Sequence, residues 1–282
     1  MVWPFGVSTA GRAEAMTEPA GGMVTVETSE QRRTREQRRA LFDDVAGLYD
    51  ATRQGYPAEV ADTVVANAAI GPGAAVLEIG CGTGQFTRQL AGRAFNLTAI
   101  DIGAAMVRTA RRNVPDVTAR FEVCSFEDFA DSGPFDLIVS ATAFHWIDPS
   151  VGLAKAARLL RPGGWLALLT TGERYPEPLQ SRLRDLWVRY SRPGGEWADQ
   201  PAWLAALRES GLFGVPVEAS HTTALRLPAA TVIGVERTRA TFLSYSEQEQ
   251  ADFTAELTAL LASDSHLDLI QDSFLAMAPR AS

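Results

Sequence analysis

Apolar and polar positions along this chain follow two alternating periods. From residue 58 onward, short apolar runs with strand character are separated by segments whose apolar residues recur every three or four positions. The pattern predicts a helix over 58–69, a turn at Gly71, Pro72 and Gly73, and a buried strand over 75–80. A helix over 84–92, a strand over 96–101 and a helix over 104–112 follow. Strands over 118–124 and 135–141 come next, then a helix over 149–160. The stretch "RPGG" (161–164) is read as a turn that ends this helix before a strand over 165–170. Such alternation implies an α/β fold with a doubly wound, mostly parallel sheet covered by helices on both faces. Right-handed crossovers then bring the strand C-termini to one edge, where such sheets bind ligands.

Beyond residue 172 the pattern loosens. Helices over 177–190 and 200–209 precede a strand near 214–225, and two more helices cover about 229–240 and 246–262. The alternating stretch "LDLIQDSFLAM" closes the series. Residues about 172–210 and 228–262 are expected to fold over the sheet edge as a helical lid. Residues 1–28 lack periodicity and are expected to form a loose arm, leaving 29–282 as a single domain. The cluster Arg32, Arg33, Arg35, Arg38 and Arg39 is read as a solvated helix face rather than a phosphate site.

The polar and glycine residues of interest all fall at the ligand edge. In "AAVLEIGCGTGQFTRQL", Gly80, Gly82 and Gly84 follow the apolar run and precede a helical pattern. A dinucleotide fingerprint, G-x-G-x-x-G, would need glycine at position 85 or 87, which are Gln85 and Thr87. An NAD-dependent oxidoreductase is therefore disfavoured. Glu78 stands ahead of the glycines, where it opposes pyrophosphate and suits a ligand with a positive charge. Asp101 ends the next strand, placed to accept hydrogen bonds from both hydroxyls of a ribose. The site asks for a nucleoside with a cationic, phosphate-free tail, a description that S-adenosylmethionine fits.

Composition narrows the partners. The chain has 282 residues, 46% of them hydrophobic, which allows a sizeable core. A net charge of -8 argues against general nucleic-acid binding. No apolar run is long enough to cross a bilayer, and "MVWPFGVSTAGRAEA" does not read as a signal peptide. Cys81 and Cys124 are too few for a disulfide framework, so a cytoplasmic location is expected. His145, His221 and His266 form no close-spaced set with them, and no metal is expected.

The stretches "VLEIGCGTGQFTRQLA", "LTAIDIGAAMVRTAR", "FDLIVSATAFHWID" and "LLRPGGWLALL" resemble the successive motifs of class I S-adenosylmethionine-dependent methyltransferases, over roughly residues 41–171. "FDDVAGLYDATRQGYP" and "AFHWID" are similar to the small-molecule branch that includes trans-aconitate methyltransferase and many natural-product methyltransferases. The resemblance implies a Rossmann-like, seven-stranded sheet whose last strand is antiparallel, with "LDLIQDSFLAM" as its candidate. It implies that Gly80, Cys81 and Gly82 lie against the methionine moiety and that Glu78 anchors its amino group, with the Ala141 carbonyl as second acceptor. Asp101 would hold the ribose, Ile102 and Met106 would pack on it and the adenine, and Phe126 would line the adenine's other side. Many members carry an aspartate where this chain has Ser125, which offers only a hydroxyl to the adenine. Tyr49 and Arg53 would close over the cofactor, with Arg53 pairing with its carboxylate.

His145 falls beyond the fourth strand and is the candidate catalytic residue, as a general base for an acceptor hydroxyl. The alternative role is to orient substrate, because methyl transfer can proceed by alignment alone. Trp187, Trp197 and Trp203 are read as core before substrate wall, and the cysteines as small buried residues. The function expected is methyl transfer to a small organic acceptor, oxygen first and nitrogen or carbon as alternatives. A non-catalytic protein that binds S-adenosylmethionine is the rival reading.

Overall fold

The computed structural model describes residues 41–114, 119–130, 133–191 and 202–282. The expected arm over 1–28, the arginine cluster at 32–39 and Trp197 lie outside the described residues.

Residues 41–44 are helical and lead into α1 (Ala46–Thr52) and α2 (Ala58–Ala68). The alternating series follows: β1 (Ala75–Ile79), α3 (Thr87–Leu90), β2 (Asn96–Asp101), α4 (Ala104–Asn113), β3 (Arg120–Val123) and β4 (Phe135–Ala141). A 3-10 turn (Phe144–Trp146) then leads to α5 (Pro149–Leu159) and β5 (Leu160–Arg174). The second half comprises α6 (Leu179–Tyr190), α7 (Ala202–Glu209), β6 (Val217–Pro228), α8 (Ala229–Arg237), α9 (Ala240–Leu243), α10 (Glu247–Leu260) and β7 (His266–Pro279).

The seven strands form one sheet in the order β3-β2-β1-β4-β5-β7-β6. The first five run parallel, and β7 lies antiparallel to both β5 and β6. "LDLIQDSFLAM" is thus the antiparallel strand that the resemblance implied. The strand order reverses between β1 and β4, which leaves a crevice at their C-terminal ends.

Strand periodicity decides which face each residue serves. On β5, Leu166 and Leu168 join one cluster with Leu153 of α5 and Trp203 of α7. Ala167 and Leu169 join the opposite cluster with Val60 and Val64 of α2. Each such fully buried Leu or Val contributes ~1.5–3 kcal/mol relative to exposure.

Several elements depart from expectation. "RPGG" does not precede the fifth strand but lies within it, since Phe135 pairs with Leu160 and Leu137 with Trp165. Arg161 to Gly164 bulge out opposite Asp136, whose carboxylate pairs with Arg161 and accepts the Ala75 N–H. The helix expected over 84–92 is confined to Thr87–Leu90, because three glycines in left-handed backbone precede it. The helix expected over 229–240 divides into α8 and α9 at Thr238 and Arg239.

The segments expected to form a lid part company. Helices α6, α8, α9 and α10 share an apolar cluster built on Leu183, Leu186, Val232, Phe242, Phe253 and Leu257. Helix α7 packs on the sheet instead, with Trp203 stacked on Phe274 of β7 at a centroid separation of 6.4 Å. Among the described residues no helix is long and apolar enough to cross a membrane.

Candidate active site

A cavity of about 560 Å³ opens at the β1–β4 crevice, between the sheet edge and the helical cap. A smaller one of about 50 Å³ adjoins it behind the glycine turn and shares Gly80, Gly82, Tyr49 and Arg53 with it. Of the residues singled out from sequence, Tyr49, Arg53, Gly80, Gly82 and Asp101 line the main cavity. Ile102, Met106, Ser125, Phe126, Ala141 and His145 do so as well. Glu78 and Cys81 do not; they line the smaller cavity.

The three glycines have separate tasks. Gly80, at φ +71°, abuts the turn after β4: a Cβ there would stand 2.3 Å from Ala143 Cβ. Its neighbour space is therefore filled by the protein itself. Gly84, at φ +93°, lets α4 approach, with Ala110 Cα 3.3 Å from the position a Cβ would take. Gly82, at φ +54°, is different, since a Cβ would meet only Gln85 Oε1, at 3.8 Å. The open backbone that a close-lying ligand needs is at Gly82.

Asp101 fixes this turn. One carboxylate oxygen accepts the Gly82 N–H at 2.9 Å and the other accepts the Gly103 N–H at 2.8 Å. The start of α4 is capped from elsewhere: Asp43 Oδ1 accepts the N–H groups of Ala105 and Met106. Nothing local in the sequence joins Asp43 to that helix.

Glu78 lies behind the turn at 1% exposure, and its Oε2 has no hydrogen-bond partner among the described residues. Burial pushes its pKa up to about 8; the nearby Thr87 hydroxyl opposes the rise and the Asp101 charge adds to it. A buried polar atom without a partner is costly, and an ammonium group brought to this carboxyl would supply one.

The far end of the crevice is set by β4. Thr142 adopts φ 56°, unusual for a β-branched residue. It is held there by its N–H to Leu169 O at 2.9 Å and by a 2.9 Å hydrogen bond between its hydroxyl and that of Tyr56. His145 follows in the 3-10 turn, exposed, with its ring 5.0 Å from that of Trp146. On the adenine side expected from the resemblance, the Ser125 hydroxyl donates to Asp128 at 2.7 Å. Lys155 holds the same loop by donating to the carbonyls of Glu127 and Phe129.

Arg53 donates to the Thr238 hydroxyl at 2.9 Å and to its carbonyl at 3.1 Å, and lies over the Tyr49 ring. This joins α1 to the cap. The two segments cross closely, since a Cβ on Gly234 would stand 2.3 Å from Thr52 Cγ2.

Sequence reasoning missed the charged part of the cap wall and read Trp187 as core first. Glu173, Trp187, Glu236 and Arg239 line the cavity with Phe242 and Tyr245. Only Glu173, three residues past the strand read over 165–170 and within β5 of the structure, carried a signal comparable to that of Asp101.

A family profile described as a methyltransferase domain matches residues 77–168, which run from β1 into β5. A malonyl-(acyl-carrier protein) O-methyltransferase from Paenibacillus sp. is 31% identical over 186 residues, 59% of this chain and 67% of that protein. The chain belongs to the class I S-adenosylmethionine-dependent methyltransferases. An uncharacterized methyltransferase of Mycobacterium tuberculosis is 34% identical over 128 residues, 45% of this chain. The matched part of this methyltransferase spans about half the length of that relative, 51%. The fold also matches the solved structure of a type II methyltransferase from Anaeromyxobacter dehalogenans, with TM-score 0.60 at 22% identity. That match covers 81% of this chain and 97% of the other.

The residues present fit the family's cofactor. Glu78 lacks a cationic partner, Gly82 leaves the backbone open, and a carboxylate stands at the end of β2.

Proposed function

We propose that this methyltransferase acts on the hydroxyl oxygen of a small organic acceptor. The observation that carries the cofactor half of this reading is the buried Glu78 oxygen, without a partner among the described residues, behind a glycine turn that is open at Gly82. Bound S-adenosylmethionine supplies a methyl group made electrophilic by its sulfonium and is converted to S-adenosylhomocysteine. In this reading Glu78 takes the cofactor's amino group, with the Ala141 carbonyl beside it. Arg53 faces its carboxylate and Asp101 its ribose. Met106, Ile102 and Phe126 pack about the adenosine, with Ser125 at the adenine's edge. The cap excludes water and holds the acceptor, so that orientation supplies most of the rate. His145 takes the acceptor's hydroxyl proton as the new O–C bond forms. The O-methyltransferase relative supports oxygen as the reacting atom, although the malonyl group it is named for offers a carboxylate oxygen and not an alcohol.

Calorimetric titration with S-adenosylhomocysteine and, separately, NAD tests the site. We expect the first to bind wild type in the micromolar range and NAD not to bind. Binding needs the Glu78 carboxylate ionised, so affinity should rise between pH 6 and 8, by up to about tenfold per unit at the lower end. Stability of the ligand-free protein should run the other way. A carboxyl raised to about 8 holds its proton in the fold, and its contribution falls as pH rises from the ordinary carboxylate value toward 8. Glu78→Gln should bind weakly and lose both dependences. Binding of NAD instead of S-adenosylhomocysteine would sink the reading.

A further inference from the structure

The charge of the acceptor is written in the cap. Among the described residues, the charged side chains on the cap side of the cavity are Arg53, Glu173, Glu236 and Arg239. Glu173, Glu236 and Arg239 are committed to partners within the protein, and Arg53 is the group set against the cofactor's carboxylate in the methyl-transfer reading. Arg239 donates through Nε to Glu236 at 2.8 Å and through Nη2 to Glu173 at 2.9 Å. The other Glu236 oxygen accepts the Trp187 indole N–H at 3.0 Å, and Arg53 is hydrogen-bonded to Thr238. Glu236 is 2% exposed, and the side chains of Glu173 and Arg239 are 13% and 24% exposed. Burial pushes the Glu173 carboxyl up, but the Arg239 and Arg53 charges outweigh it and hold its pKa below the ordinary value. Glu173 is therefore an anion at neutral pH.

A guanidinium with its fork free would recruit a carboxylate acceptor through paired hydrogen bonds. Here two carboxylates already occupy Arg239. An acid entering the cavity would meet Glu173 and Glu236 in a wall where like charges are poorly screened. The remaining cap-side lining is largely aromatic, with Phe42, Trp187, Phe242, Tyr245 and Phe253, and Trp146 faces them from the turn after β4. Such walls hold a flat, apolar body.

We infer that the acceptor is an uncharged alcohol or phenol with an apolar, ring-sized body, and that the Glu173–Arg239–Glu236 bridge excludes carboxylic acids. This rests on the methyl-transfer reading of the same site. Its consequence is a swap: removing one of the two carboxylates turns the acid-excluding wall into an acid-binding one.

The test is calorimetric binding of 3-phenylpropan-1-ol and 3-phenylpropanoate to protein saturated with S-adenosylhomocysteine. We expect wild type to bind the alcohol at least about tenfold more tightly than the acid. In Glu173→Gln the preference should narrow or reverse, with the acid gaining about tenfold relative to the alcohol. Glu236→Gln repeats the experiment from the other side of Arg239 should the first variant not fold, and retained S-adenosylhomocysteine binding certifies either. A wild type that binds the acid as tightly as the alcohol, or binds neither, overturns the inference. So does a folded variant with unchanged preference. Failure to bind S-adenosylhomocysteine strikes the underlying reading instead, so the two failures are distinct.

Discussion

The floor and the cap of the cavity treat their buried charges in opposite ways. On the floor, Glu78 is buried with an oxygen that no described residue satisfies. In the cap, Arg239 is matched to two carboxylates and Glu236 to both Arg239 and Trp187. An unsatisfied buried group marks where a ligand's polar atom belongs, because the ligand removes the penalty. A satisfied network marks a wall, because any new polar group must displace a bond already made. The two regions differ in construction too. The floor is shaped by backbone at Gly80, Gly82 and the end of β4, whereas the cap is shaped by side chains from α1, β5, α6, α8 and the α8–α9 junction.

If the floor is backbone-defined, a single methyl group should ruin it. Gly80→Ala would place a Cβ 2.3 Å from Ala143 Cβ in left-handed backbone at φ +71°. Its N–H is anchored to Ile100 O at 2.8 Å, which limits relaxation. Overpacking and backbone strain together amount to ~4 kcal/mol, about a thousandfold in S-adenosylhomocysteine affinity if it falls on the binding-competent turn. Gly82→Ala shares the left-handed strain, at φ +54°, but has room for its methyl and should lose less, through that strain and contact with the ligand. Equal titration curves for the two variants would break the distinction between them.

The cap should fail by stability. Glu236→Ala strips Arg239 and the Trp187 indole of a shared partner at a position 2% exposed. Removing one member of a buried ion pair costs ~3 kcal/mol or somewhat more. Urea unfolding should register that loss, while S-adenosylhomocysteine affinity should stay within about threefold of wild type, as for separate sites. A large loss of affinity with little loss of stability would mean that cap and floor are one unit.

The same difference explains what the sequence disclosed. Gly80, Gly82, Gly84, Glu78 and Asp101 lie close together along the chain, because a strand-to-helix turn makes its site from consecutive residues. The sheet was legible for a related reason: β1, β2, β4 and β5 are buried on both faces and read as apolar runs. Glu173, Trp187, Glu236 and Arg239 meet only through the packing of distant elements. The E-x-x-R spacing of Glu236 and Arg239 is common on solvated helices. "RPGG" misled because its proline and glycines are those of a turn, yet flanking pairs Leu160 with Phe135 and Trp165 with Leu137 keep it within the strand.

His145 stands at the seam between the two regions, in the turn after β4 and beside Trp146 at the cavity's edge. If it removes the acceptor's proton, His145→Ala should lower kcat about a hundredfold, the lower end of what a positioned base supplies. S-adenosylhomocysteine affinity should hardly change, because the floor is intact, and added imidazole should restore part of the lost rate. A ring needed only to pack against Trp146 would behave differently: its loss would raise the acceptor KM, and free imidazole would restore nothing. An unchanged kcat would remove the base and leave orientation as the sole catalytic device. Site and cofactor would then stand, and the acceptor would have to lose its proton to solvent or carry none at the reacting atom.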